Sequence, residues 1–228
     1  KRDKLVDRLL ETPEYAYFFA NKWADVLRVK RRNQATRAAG TFAFHGWIRD
    51  AVAADRPYDQ FVRDILTATG DEQRVPQTFW FREVTTPENF VDDVSQVFLG
   101  QRLACANCHH HPYEKWSQDD YWGLAGFFGR VGRKEVRGPT VNPNNNNVGT
   151  QVVFTKATGN VTNKRTQKAA DIRPLDGKVM EPTELDPREK LADWMTAKEN
   201  PFFARAVANR YWAHFFGRGI VDPLDDMR

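Results

Sequence analysis

The sequence predicts a mainly α-helical protein that carries one long, loop-rich insertion. Apolar residues recur at helical spacing over most of the first 130 residues. Proline follows a threonine or an aspartate at several predicted helix starts. Glycine, proline and asparagine are concentrated in the middle of the chain. We therefore expect a helical domain over residues 1–130, a loop-rich insertion with short strands over 131–182, and the helical start of a second, truncated domain over 183–228.

The composition is that of a folded protein rather than a disordered or membrane-spanning one. Of 228 residues, 41% are hydrophobic and 13% aromatic, and a chain of this size needs no disulfide bonds to hold its core. No run approaches about 20 apolar residues, so no transmembrane segment is predicted. The opening KRDKLVDRLL lacks the apolar centre of a signal peptide. We expect both ends to lie within a longer protein.

The net charge is small, with 34 Lys and Arg against 30 Asp and Glu. Five cations and no anion fall in the run Arg28–Arg37, which is typical of a solvated loop. A docking patch for an acidic partner or a counter-charge for an anionic cofactor are the alternatives. Nucleic-acid binding is not favoured, because the patch is single and no nucleic-acid fold motif accompanies it.

Start signals and apolar spacing place the helices of the first 130 residues. Thr12-Pro13 and Thr86-Pro87 are each predicted to begin a helix. Gly70 is expected to end the helix that contains Phe61. The helix after Thr86 is expected to run into Leu103-Ala-Cys105. The predicted apolar faces are Phe18, Phe19, Trp23, Val26 and Leu27; Phe44, Trp47, Ile48 and Val52; Phe61, Val62, Ile65 and Leu66; and Val91, Val94, Phe98 and Leu99.

Further signals follow in the second half of the chain. Ser117-x-x-Asp120 predicts a capping box before a helix with an aromatic face. Gln151–Thr155 is suited to a short strand, with Asp171–Leu175 as its candidate partner. Two last helices are predicted to begin at Asp186-Pro187 and Asn200-Pro201, and the second to end at Gly217. Their apolar faces, with that of the Ser117 helix, are Tyr121, Leu124, Phe127 and Phe128; Leu191, Trp194 and Met195; and Val207, Tyr211, Trp212 and Phe215.

The most informative stretch is Cys105-Ala-Asn-Cys108-His109, which contains both cysteines of the chain. C-x-x-C-H is the attachment signature for c-type haem. Two thiols three residues apart on one helical turn reach the two vinyl groups of a porphyrin, and the next imidazole ligates the iron. The sequence predicts one covalent haem on Cys105 and Cys108, with His109 as proximal ligand. Because bacteria attach haem c outside the cytoplasm, it also predicts an exported protein.

Two other interpretations of the motif stay open. Cys105 and Cys108 also have the spacing of a redox or structural cysteine pair, although a thioredoxin-like pair is usually found in a βαβ unit. With His109 and His111 they form four candidate zinc ligands, although zinc-finger pairs are separated by a dozen or so residues. An iron–sulfur cluster needs more thiolates than two.

The second axial ligand of the iron is less well determined. His110 and His111 lie too close to His109 in sequence to reach the opposite face of the ring. His214, near Trp212, Phe215 and Phe216 in the last helix, is the candidate distal ligand. A buried histidine is more often a hydrogen-bonded core residue. His45, Met180 and Met195 are weaker candidates, and an open iron would favour catalysis.

The stretch FLGQRLACANCHHHPYEKWSQDDYWGLAGFF resembles the planctomycete cytochrome-type domain family. LVDRLLETPEY and DRPYDQFVRDIL extend the likeness over residues 1 to about 130. Downstream, LADWMTAKENPFFARAVANRYWAHFFGRGIVDPLDDMR is similar to the opening of the uncharacterised domain that usually follows it. The resemblance implies a large exported or surface protein, with Cys105, Cys108 and His109 as haem-binding positions and a loose link to carbohydrate breakdown.

No nucleophile constellation, phosphate loop or H-E-x-x-H motif accompanies the C-x-x-C-H sequence. The leading hypothesis is therefore single-haem electron transfer with a redox partner protein. The alternatives are a haem-dependent oxidoreductase acting on a sugar or peroxide, and a non-enzymatic surface module whose asparagine-rich loop contacts a partner.

Overall fold

The structure is a computed structural model that describes residues 1–30, 38–136, 150–181 and 186–227. The prediction of a mainly α-helical protein is confirmed, with nine α-helices in these ranges. The chain divides into two compact units, Lys1–Glu83 with Arg133–Phe154 and Val84–Gly132 with Thr155–Arg228. Most of the basic run and the whole asparagine-rich run lie outside the described residues.

The first unit contains five of the helices and most of a small sheet. The helices are α1 (Arg2–Leu10), α2 (Pro13–Val26), α3 (Ala38–Ala53), α4 (Tyr58–Leu66) and α5 (Trp80–Glu83). The strands are β1 (Gly70–Asp71), β2 (Val131–Val136) and β3 (Thr150–Thr155), and the unit boundaries fall inside β2 and at the end of β3.

The core of the first unit is aromatic, and the predicted face of α4 is confirmed. Phe61, Val62, Ile65 and Leu66 are all buried, and the ring of Phe61 stacks on Trp47 at 5.0 Å. The face predicted for α2 is partly wrong. Phe18 is 50% exposed, whereas Ala16, Ala20 and Ala24 are buried beside Trp23 and Leu27. Helix α2 packs against α3, and small side chains allow two helices to approach closely.

The strand predicted at Gln151–Thr155 is present as β3, but its predicted partner is wrong. β3 pairs with β1 in antiparallel register, Gly70 opposite Val153, and β2 lies on its other side. Asp171–Leu175 forms no strand. Helix α4 ends at Leu66, four residues before the predicted stop. Gly70 lies instead in β1, at a φ of +119° that favours glycine.

The second unit contains the C-x-x-C-H sequence. Its helices are α6 (Pro87–Val94), α7 (Gln118–Gly126), α8 (Pro187–Thr196) and α9 (Phe203–Phe216), and β4 (Thr162–Asn163) pairs with β5 (Lys168–Ala169) as a hairpin. Thr86 caps α6 by accepting from the Asn89 amide. Ser117 and Asp120 form the predicted capping box.

The predicted apolar faces of α6 and α7 are confirmed, whereas that of α9 is wrong. All eight residues predicted on the first two faces are buried. On α9, Trp212 and Phe215 are 45% and 66% exposed, and the buried side is formed by Phe203, Ala206 and Asn209. Asn209 is buried because its amide is satisfied by the backbone of Val221, which it bonds twice. Gly217 ends the helix as predicted.

The segment just before the motif is held by the C-terminal residues of the second unit. Helix α6 continues as a π-helical turn over Ser95–Leu99 and ends at Gly100. Gly100 has a φ of +63°, and a Cβ there would lie 2.9 Å from Met227 Sδ. Gln101 donates to the Met227 carbonyl at 3.0 Å, and Arg102 bonds Asp225 at 2.6 Å. These contacts fix the direction in which the chain enters the motif.

Candidate functional site

The C-x-x-C-H sequence lies on a short 3₁₀ turn, Ala104–Asn107, with Cys108 at its end. The expectation that the preceding helix runs into Cys105 is therefore wrong. Gly100 ends that helix, because its left-handed backbone turns the chain away from the helix axis. The turn is stabilised by the Ala106 amide, which bonds the Leu103 carbonyl at 2.8 Å. Ala106 is also its single buried side chain.

Cys105 lies in the 3₁₀ turn and Cys108 is the residue that ends it, a spacing of three residues that favours placing both thiols on one side. With three residues per turn, side chains at positions i and i+3 are eclipsed. Cys105 and Cys108 are both exposed and both free thiols, and His109 is exposed beside them. The turn therefore presents two thiols and an imidazole at the surface.

Hydrogen bonds distinguish His109 from the two histidines that follow it. His109 Nδ1 lies 2.6 Å from the His110 carbonyl oxygen. A carbonyl only accepts, so Nδ1 carries the proton and the lone pair of Nε2 is available to a metal. Metal-binding histidines commonly donate their second ring nitrogen in this way.

His110 and His111 have the opposite arrangement. His110 Nδ1 accepts from the Gln118 amide at 3.3 Å, and His111 Nδ1 accepts from the Glu114 amide at 3.0 Å. In a neutral imidazole whose Nδ1 accepts, the proton sits on Nε2. That nitrogen then has no lone pair for a metal. Of the three adjacent histidines, the hydrogen bonding favours only His109 as an Nε2 ligand.

Asn107, between the two cysteines, uses both ends of its side-chain amide. Its Nδ2 donates to the Tyr121 hydroxyl at 3.1 Å, and its Oδ1 accepts from Lys164 Nζ at 3.1 Å. Its backbone carbonyl accepts from Gln118 Nε2 at 3.4 Å. Burial raises the pKa of Tyr121 well above its ordinary value, and the Asp92 carboxylate adds to the effect. The hydroxyl therefore stays protonated.

The β4–β5 hairpin lies against the motif through Lys164. Besides Asn107, the Lys164 ammonium contacts the Glu88 carboxylate at 3.3 Å and the ring of Trp122 at 5.0 Å. Asp119, in the first turn of α7, anchors the hairpin by accepting from Asn163 and Arg165. The hydrogen bond from Arg165 holds the pKa of Asp119 below its ordinary value.

The geometry gives less support to a zinc site. In the described part of the chain, no group of three His, Cys, Asp or Glu side chains is arranged to hold a metal ion. His111 turns its Nδ1 toward backbone amides, which removes the fourth ligand that the zinc interpretation needs.

The other candidate iron ligands lie in varied surroundings. His214 is exposed on the last turn of α9, with its ring 5.1 Å from that of Phe215. His45 belongs to the first unit and bonds Asn21 at 2.9 Å. Met195 is fully buried in α8, as a core residue is, and Met180 lines a cavity of about 280 Å³. The role of His214 as distal ligand stays a prediction.

The fold and the motif define the class of the protein: a mainly helical chain whose second unit displays an exposed C-x-x-C-H turn. The family model PSCyt2 matches residues 1–133, so the chain belongs to that family, described as "Protein of unknown function (DUF1549)". Residues 187–228 match PSD1, described as "Protein of unknown function (DUF1553)". The two matches follow in the order that the sequence resemblance implied. Neither the curated proteins nor the solved structures gave a match.

Sequence reasoning missed the residues that hold the motif. Asn107 was counted only as a spacer position, and Gln118 and Lys164 were not singled out. Gln118 lies within the stretch FLGQRLACANCHHHPYEKWSQDDYWGLAGFF that carries the family resemblance, which is the signal the sequence offers for it. Lys164 is 57 positions from Asn107, and no local pattern connects them.

Within the part of the chain that the structure describes, no helix is both long and apolar enough to cross a membrane.

Proposed function

We propose that this protein is an extracytoplasmic, cytochrome c-like protein that carries one covalent haem and exchanges electrons with a redox partner protein. Cys105 and Cys108 would hold the haem through two thioether bonds, one to each vinyl group, and His109 Nε2 would ligate the iron. Once bound, the iron supplies one-electron redox chemistry. The observation that carries the proposal is the Nδ1 hydrogen bond of His109, which leaves Nε2 as an acceptor beside two exposed thiols.

The residues of the site fit this group in three respects. The thiols are free and accessible, as covalent attachment requires. Their three-residue spacing, from within the 3₁₀ turn to the residue that ends it, favours one side for both thiols. The His109 imidazole is oriented by a backbone carbonyl, as iron and zinc ligands commonly are. Electron transfer is favoured over catalysis because these three side chains are exposed, which suits contact with a partner protein better than enclosure of a substrate.

The proposal is tested by a pyridine haemochrome spectrum of the full chain, matured in a host that attaches haem c. We expect the c-type band and a mass increase of one haem that survives denaturation. The Cys105→Ser, Cys108→Ser double variant is the matched control, and it should lose the covalent haem. A matured protein with no c-type band, or with bound zinc at the two cysteines, would refute the proposal.

A further inference from the structure

We propose that Asn107 is a positioning residue of the C-x-x-C-H turn, held from two sides by α7 and by the β4–β5 hairpin. The proposal deepens the proposed function, and its relevance to haem rests on that function. It assigns a role to a position that the motif itself leaves unspecified.

The first step is that the turn is held internally by a few backbone hydrogen bonds, from the Ala106 amide at 2.8 Å and from the Cys108 amide at 3.3 Å. It comprises four residues, Ala104–Asn107, and buries a single side chain. Short 3₁₀ turns have poor hydrogen-bond geometry, and so they depend on outside contacts. The orientation of the two thiols therefore depends on the side chains that contact the turn from outside.

The second step is that Asn107 is where those contacts converge. Tyr121 and Gln118 contact it from α7, at 3.1 and 3.4 Å, and Lys164 contacts it from the hairpin at 3.1 Å. Tyr121 is completely buried, and its hydroxyl also lies 3.2 Å from Asp92 Oδ1. The contact from Tyr121 to Asn107 is therefore anchored in the buried core. Amide groups that both donate and accept suit this task, because one side chain can serve two opposite partners.

The third step is that the hairpin is itself fixed to the same helix. Asn163 donates to Asp119 Oδ1 at 2.7 Å, and Arg165 forms an ion pair with the other oxygen. Lys164 lies between these two anchors in sequence, and it is further held by Glu88 at 3.3 Å. Since Asn107 precedes Cys108 directly, any rotation of its backbone moves that thiol relative to Cys105.

The test uses the full chain before haem attachment, with both thiols reduced, and the dithiol reagent dibromobimane. The reagent becomes fluorescent when it bridges two thiols, so the ratio of bridged to singly alkylated product reports their relative orientation. We expect Asn107→Ala to lower the rate of bridging by about tenfold, the lower end of the effect of outer-shell changes at metal sites. Alkylation of Cys105 alone should keep its rate, whereas Cys108 Sγ lies 3.9 Å from Asn107 Oδ1 and is not used as the reference.

Lys164→Met is the second variant, in case Asn107→Ala does not fold. It removes the contacts of an exposed ammonium with Asn107, Glu88 and the Trp122 ring. Because exposed ion pairs contribute little energy, we expect a loss of bridging of about two- to threefold. Lys168→Met, at an exposed lysine on the same hairpin, is the matched control and should leave bridging unchanged. The melting temperature of Lys164→Met should stay that of the parent.

The outcomes separate the two proposals. Reduced bridging in Asn107→Ala and Lys164→Met supports the positioning role even if the matured protein carries no haem. Unchanged bridging in folded Asn107→Ala, or in Lys164→Met if the former does not fold, overturns the role even if haem is attached normally.

Discussion

On the proposed function, His109→Ala is expected to remove the spectrum of histidine-ligated iron from the matured protein while leaving the two thiols in place. The structure supports this because only His109, of the three adjacent histidines, has its Nδ1 proton committed to a carbonyl and its Nε2 lone pair available. Substitution of a residue that hydrogen-bonds a metal ligand typically lowers metal affinity or activity about 10–100-fold. Loss of the ligand itself should reduce the yield of histidine-ligated haem by at least about tenfold, measured by visible absorption per polypeptide.

His111→Ala is the matched control for this experiment. His111 holds the loop by accepting from the Tyr113 and Glu114 amides, so its loss should preserve the iron spectrum. Equal loss in both variants would contradict the assignment of His109. His214→Ala tests the distal ligand: a spectrum that becomes responsive to carbon monoxide only in this variant supports His214, whereas a parent protein that already binds carbon monoxide favours an open iron and a catalytic role.

Arg188→Met is expected to destabilise the second unit strongly. Arg188 is fully buried in the first turn of α8 and bonds Asp186 through Nε and Nη2. Burial raises the pKa of Asp186, but hydrogen bonds from Arg188 and Thr155 outweigh it and hold the pKa below its ordinary value of 3.8. Removing the cation leaves the largely buried Asp186 carboxylate without its ion-pair partner, with the Thr155 hydroxyl and the backbone amide of residue 188 still donating to it. Breaking a buried ion pair costs about 3–5 kcal/mol. Urea unfolding at pH 7 measures the loss.

The pH dependence gives a second check on Arg188→Met. A carboxylate whose pKa is lowered by folding stabilises the folded state at pH values above its ordinary pKa. That contribution is lost as the pH falls through the pKa of the folded state. In the variant, Asp186 keeps the hydrogen bonds from Thr155 and from the backbone amide of residue 188 but loses the guanidinium. Its pKa should therefore rise relative to the parent, and protonation should relieve part of the penalty. The stability difference between the two proteins should therefore narrow below about pH 4.

Arg218→Met is the matched control, because the Arg218 and Asp222 side chains are 80% and 51% exposed. Arg218→Met should lower the free energy of unfolding by less than about 1 kcal/mol. A comparable loss in both variants would show that burial of the Arg188 pair is unimportant.

Local signals in the sequence predicted helix starts better than helix ends or faces. Thr86-Pro87 and the Ser117-x-x-Asp120 box begin helices as expected, because a cap is a contact within four residues. The helix after Thr86 ends at Gly100 rather than continuing to Cys105. Whether a glycine adopts a left-handed conformation depends on its neighbours, here Met227, which lies far along the chain.

The chemistry of the motif was likewise readable in part. The spacing of Cys105, Cys108 and His109 indicates a dithiol–histidine site independently of the surrounding fold, because the three residues are close together in the sequence. The motif predicts His109 as the ligand, but the sequence does not show the hydrogen bonds to a carbonyl or an amide that set the tautomer of each histidine.

The amino-acid sequence alone thus determined the helical class, the helix starts and the dithiol–histidine turn, all of which depend on residues a few positions apart. Tertiary structure alone decided the strand partner of β3, the buried side of α9 and the grip of Lys164 on Asn107. These features join residues separated by tens of positions. Their free energy comes from packing and from satisfying buried polar groups, which periodicity along the chain does not record.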